Sequence, residues 1–177
     1  MKMLILTAGL LGLFMSSAFA NDSIQLINKD NDGGTVYQTV NINNKINVAT
    51  FNLYSGTHST NALVDYNSGI ILYHMPYKRI CVVSRMNRDS FPSITQLESM
   101  IHEGHALTSL HRSYGISRKV VSHMSELGRP TQAICEGLTT YWATEFQRPY
   151  PLVGGRGCAG LNLLILKVNL CGGISLF

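Results

Sequence analysis

Four cysteines, Cys81, Cys135, Cys158 and Cys171, stand behind a segment that reads as an export signal, and this combination constrains the fold more than any other feature of the chain. Lys2 supplies a positive start, and Leu4 to Phe14 a mostly apolar run broken by Thr7 and two glycines. Ala18-Phe19-Ala20 then sets small residues at the two positions a signal peptidase reads, ahead of the polar Asn21-Asp22-Ser23. Residues 1–20 are therefore expected to be removed between Ala20 and Asn21. A retained anchor would need about 20 apolar residues, and this run fades through Ser16-Ser17. No later segment is expected to span a membrane: Leu161 to Leu170 is short, carries Asn162, Lys167 and Asn169, and reads as a strand.

Export decides how the cysteines are read. Oxidising compartments let disulfides persist, and an even count of four permits three pairings. A structural zinc site is disfavoured because no Cys-x2-Cys pair occurs. With the leader removed the chain has 157 residues and its formal charge falls from +4 to +3 with the loss of Lys2. The basic residues are scattered, so a nucleic-acid partner is not expected. Asn21-Asp22-Ser23 is a glycosylation sequon at the new N-terminus.

Residues 21–34 are rich in Asn, Asp and Gly and read as a flexible leader. Beyond them Val36, Val40, Ile42, Ile46 and Val48 alternate with polar residues around Asn43-Asn44, which predicts a β-hairpin over Thr35 to Leu53. Ala62 to Tyr66, the turn Asn67-Ser68-Gly69 and Ile70 to Met75 predict a second strand pair, followed after Pro76 by a short strand at Ile80 to Val83. The period then changes. Ser93-Ile94-Thr95-Gln96 is a capping-box pattern opening a helix with Leu97, Met100 and Ile101 on one face. Residues 103–130 carry weak periodicity. A second helix is expected from near Pro130, with Ile134, Leu138, Tyr141 and Trp142 sharing a face and Cys135 on it. Strands, helix, irregular stretch, helix and strand in that order argue an α+β fold with an antiparallel sheet.

Catalytic patterns are sparse. His102-Glu103-Gly104-His105 approaches a zincin motif, which needs histidines at i and i+4 to reach one metal. Here Ala106 fills the required place, so ordinary loop residues are the preferred reading. A secreted metal-binding protein or metal-dependent hydrolase using His102 and His105 is the alternative. No Gly-x-Ser-x-Gly elbow and no Gly-rich phosphate loop occur. The expectation is a non-enzyme without a cofactor and without a catalytic or metal site. Asp65 sits among apolar neighbours beside a turn. It reads either as a turn-stabilising acceptor of backbone N–H groups or as a buried carboxylate whose protonation loosens the sheet.

Leu63-Val64-Asp65-Tyr66-Asn67-Ser68-Gly69, Arg79-Ile80-Cys81-Val82-Val83-Ser84-Arg85-Met86-Asn87 and Pro92-Ser93-Ile94 together resemble the first half of a BRICHOS domain. The signal segment, the asparagine-rich hairpin and the late cysteine pair are similar to the gastrokine family, secreted BRICHOS proteins of stomach epithelium. The likeness divides the chain into a signal peptide (1–20), an Asn-rich leader and hairpin (21–53), a BRICHOS-like domain (54–148) and a C-terminal strand segment (149–177). It implies an antiparallel sheet with a helix on each face, a Cys81–Cys135 bridge and a Cys158–Cys171 bridge, with Asp65 as the family's motif aspartate. Bridges closing loops of such lengths stabilise by roughly 3–4 kcal/mol each on the chain-entropy model. It further implies a secreted, extracellular protein that restrains epithelial growth, protects mucosa and holds β-prone peptides as a chaperone would. The partners implied are extended peptides or mucosal proteins, an epithelial surface receptor and a second copy of the chain.

Overall fold

Period-two alternation of apolar and polar residues sets most of the chain into strands. The computed structural model describes residues 22–29, 35–55, 58–103, 110–146, 157–163 and 165–172; Ala20, Asn21 and His105 lie outside them. The strands in chain order are β1 (Asp22–Lys29), β2 (Thr35–Asn43), β3 (Val48–Ser55), β4 (His58–Asp65), β5 (Ile70–Met75) and β6 (Ile80–Arg85). The helix α1 (Ile94–His102) leads to β7 (Leu110–Val120), a 3-10 turn (Met124–Leu127) and the helix α2 (Arg129–Cys135). β8 (Thr139–Glu145), β9 (Gly157–Leu163) and β10 (Leu166–Gly172) follow.

Among the described residues ten strands form one sheet in the order β1-β2-β3-β4-β5-β6-β8-β7-β10-β9. The first six make an antiparallel meander. The expectation of a wholly antiparallel sheet is corrected, because β6 pairs β8 and β7 pairs β10 in parallel. The chain leaves β6, passes through α1 and β7, and returns as β8 in the slot between them, which makes β8 antiparallel to β7 and parallel to β6.

Two apolar clusters hold the sheet from opposite faces. On β4, Ala62 and Val64 join the larger cluster while Leu63 joins the smaller. The larger one gathers residues from both flanks of the sheet, Val40 and Phe51 with Leu166, Val168 and Leu170, so the sheet curls toward closure. Gln38 Nε2 donates to the Asn162 carbonyl at 3.3 Å and brings β9 against the β2 side. Among the described residues the protein is thus mostly β, with two short helices and two disulfides. Helix α1 packs into the larger cluster and α2 into the smaller, and the expected sheet with a helix on each face is met only in part because the sheet curls toward closure.

Further differences have local causes. Asp22–Lys29, expected to be a loose leader, is paired with β2 over its whole length; its Asn and Asp neighbours mask the apolar Ile24, Leu26 and Ile27 in composition. The strand β7 crosses the stretch of weak periodicity, because it is lodged between β8 and β10 and draws its order from backbone pairing on both sides. The second helix ends at Cys135. Gly137, at φ 71°, turns the backbone out of the helix, and Tyr141 and Trp142 belong to β8. Leu161 to Leu170 is a hairpin of β9 and β10 rather than one strand. The capping box forms as the pattern predicts: Gln96 N donates to Ser93 Oγ at 3.3 Å, and Ser93 N to Gln96 Oε1 at 2.9 Å. That helix buries Leu97 and Ile101.

Candidate functional site

The site is built around the end of β4. Asp65 is 2% exposed, and its carboxylate is enclosed by its own turn. Oδ1 accepts from Asn67 N at 2.9 Å and Ser68 N at 3.2 Å, while Oδ2 accepts from Ser68 Oγ at 2.7 Å. Buried carboxylates require this kind of satisfaction. The neighbouring β2–β3 turn is tied in, since Asn67 Nδ2 donates to the Ile46 carbonyl at 2.8 Å and Tyr66 N to the Asn47 carbonyl at 3.0 Å. Arg88 closes the other side by donating from Nη2 to the Tyr66 carbonyl at 2.6 Å.

Gly128 covers this turn, a role that sequence reasoning missed. Its φ is +78°, and a Cβ added there would lie 2.7 Å from Asp65 Oδ2 and 2.9 Å from Ser68 Cβ. The only signal in the sequence is a glycine placed ahead of Arg129-Pro130, where a helix begins. The entrance to α2 therefore rests on the Asp65 turn. Its far end is held by the Cys81–Cys135 disulfide, whose Cα atoms are 6.0 Å apart. Between these points Leu127 and Cys135 pack with Leu63, Leu72 and Val83.

Over the end of β8, beside the 3-10 turn Met124–Leu127, lies a groove of about 730 Å³. Its floor is β8, from Trp142 to Glu145, and its walls carry Arg85, Lys119 and Glu126. The guanidinium of Arg85 sits 5.4 Å from the centre of the Trp142 ring, within cation–π range. Two irregularities open the groove. Between the pairs Ile116↔Ala143 and Val120↔Tyr141, β7 runs through Ser117, Arg118 and Lys119 while β8 offers Trp142 alone. Such a bulge bends its strand away from the partner. Ser117 Oγ steadies it by donating to the Trp142 carbonyl at 3.0 Å. On the other flank the β6–β8 register ends at Ser84↔Ala143, whereas β8 continues to Glu145.

The interior side of β8 is polar at this level. Arg112 pairs with Glu145 at 3.3 Å, and Tyr73 and Tyr114 lie 5.5 Å apart, ring to ring. Burial pushes the Tyr114 hydroxyl up to about 12 and raises that of Tyr73 well above its ordinary value, so both phenols stay protonated. Cys158 and Cys171 face each other across the β9–β10 pair and are bonded. His102, at the end of α1, and His111, on β7, are exposed. Among the described residues no group of three or more His, Cys, Asp or Glu side chains is placed to hold a metal.

Residues 56–142 match the BRICHOS domain family model, a span that holds Asp65, Cys81 and Cys135. Gastrokine-1 of Sus scrofa is 34% identical over 185 residues, covering 99% of each chain. The chain belongs to the gastrokine family. Gastrokine-1 of Homo sapiens is 31% identical over 182 residues, covering 97% of each. Gastrokine-3 of Mus musculus is 25% identical over 183 residues, covering 98% of this chain and 93% of the relative. No solved structure matches the chain. The gastrokine likeness reaches beyond the BRICHOS span to take in the β2–β3 hairpin and the Cys158–Cys171 hairpin. Gastrokines are secreted proteins of the stomach, and neither they nor BRICHOS domains are known as enzymes. No helix among the described residues is long and apolar enough to cross a membrane.

Proposed function

We propose that this gastrokine is a secreted, non-enzymatic protein of gastric epithelium that takes β-prone peptide segments into the groove over the end of β8, as a chaperone would. The observation that carries the reading is the uneven ending of the β6–β8 pair, which leaves Thr144 and Glu145 paired with β7 but without a partner on the β6 side, next to the bulge of β7 opposite Trp142. An extended peptide adds to a strand edge through main-chain hydrogen bonds, and side-chain pockets select among peptides. The half-buried Trp142 gives that edge an aromatic floor, and Arg85, Lys119 and Glu126 give it charged walls.

The test is fibril formation by an amyloid peptide, followed with and without substoichiometric mature protein. A longer lag is expected, and Trp142→Ala should shorten it toward the peptide alone while the variant stays folded. An unchanged lag with the native protein sinks the reading. Restraint of epithelial growth and protection of mucosa, through a cell-surface receptor or mucosal proteins, rest on the family likeness. Cell counts in treated epithelial cultures test them separately, and equal growth with and without the protein refutes them.

A further inference from the structure

The outward face of the sheet is divided. Its α2 side is apolar and covered, and α2 reaches β4 as well as β5, whereas Tyr37 on β2 and Tyr54 on β3 stay open to solvent. There the inward residues Val40, Ile42 and Phe51 are buried in the large cluster, so the alternate positions point out. These are Tyr37, Thr39 and Asn41 on β2 and Thr50, Asn52 and Tyr54 on β3, none of them charged. Tyr37 and Tyr54 are direct cross-strand partners and remain 49% and 46% exposed. One register row further on, Thr39, Asn52, Asn61 and His74 stand side by side across four strands. Asn52 Nδ2 donates to Thr39 Oγ1 at 2.9 Å and Asn61 Nδ2 to Asn52 Oδ1 at 2.6 Å. Burial lowers the pKa of His74, which keeps this row uncharged at neutral pH.

From this arrangement we infer that the β2–β4 face binds a neutral oligosaccharide, with a pyranose ring stacked on the Tyr37–Tyr54 pair and its hydroxyls on the asparagine row. Strands β2 and β3 are paired on both sides, so a peptide finds no free main-chain edge there. The row offers no aliphatic pocket for peptide side chains or lipid, and no cation for a phosphate or sulfate. Sugars ask for the opposite: an exposed aromatic plane beside groups that both donate and accept. Each amide carries two N–H donors and one acceptor oxygen, and the ladder uses one N–H of each. The ladder also fixes the amide orientations before any ligand arrives, which lowers the ordering cost of binding.

The experiment is calorimetric titration of the mature protein with chitohexaose and with a neutral N-acetyllactosamine hexasaccharide. Saturable binding of at least one is expected, little changed in about 0.5 M salt, which screens charge-driven contacts. Tyr37→Ala and Tyr54→Ala should each weaken it by about tenfold, the scale of a lost stacking contact. Tyr37→Phe, which keeps the ring, should bind as the native protein does. Circular dichroism shows whether each variant is folded. Binding of neither saccharide, binding abolished by salt, or binding retained in the folded double alanine variant overturns the inference. So does a result in which the alanine variants change only self-association in sedimentation, which would make the face a contact between two copies.

Discussion

At the scale of single residues, Asp65 and Gly128 form one device although they lie far apart in the chain. Asp65 was partly legible from sequence, because turn formers follow it immediately and an aspartate there accepts backbone N–H groups. Gly128 was not, since its need for a missing side chain arises from a neighbour that only the folded sheet brings near. Gly128→Ala should destabilise the protein by roughly 2–4 kcal/mol, combining a positive φ with a blocked approach. Thermal melting checks this, and a melting temperature within a degree of the native one would contradict it. His74 supplies a pH effect. Burial holds its pKa below the ordinary histidine value, so in the acid range the unfolded chain takes up a proton more readily than the folded one. Its contribution is therefore to lower stability as pH falls below about 6.5. His74→Gln should lose less melting temperature than the native protein between about pH 7.5 and 5.5. Equal losses would rule the histidine out.

At the scale of elements, the two disulfides differ in access. Cys81 and Cys135 are 0% and 1% exposed, whereas Cys158 is exposed at the open end of the β9–β10 hairpin. Thiol–disulfide exchange requires an attacking thiolate to reach a sulfur. Mild reductant followed by alkylation and mass spectrometry should therefore label Cys158 and Cys171 first, with Cys81 and Cys135 labelled only on unfolding. Simultaneous labelling of all four would refute this. The elements themselves were readable where one period dominates, as in β2 to β6 and in the capping box of α1. They were misread where two periods agree. Ile134, Leu138 and Trp142 do pack in one cluster, yet they sit on α2, a turn and β8 in succession. Helical spacing thus identified true neighbours and the wrong backbone. The strand β7 escaped notice because only Tyr114 and Ile116 among its residues join the buried core.

At the scale of the whole molecule, the strand order was beyond sequence reading. Local turns announce the β2–β3 and β4–β5 hairpins, but nothing local announces that β8 enters between β6 and β7. That insertion depends on pairing between segments far apart in the chain, whose cost is loop closure. It also predicts an order of oxidation during refolding. Cys158 and Cys171 are separated by 13 residues across a hairpin, while Cys81 and Cys135 are separated by 54 with a helix and a strand between them. The hairpin bridge should form first when reduced protein is returned to oxidising buffer, and quenched time points read by peptide mass spectrometry would show the reverse if this is wrong.

The slot that β8 fills has a consequence during synthesis. As the chain is synthesised, Ile80 to Val83 emerge as an aliphatic strand with one bare edge. They stay bare until residues 139–145 follow. Over that interval the nascent protein is itself the kind of segment that needs guarding. A gastrokine of this architecture is born with an edge to protect, and the proposed keeping of other chains would begin only once its own late strand has arrived.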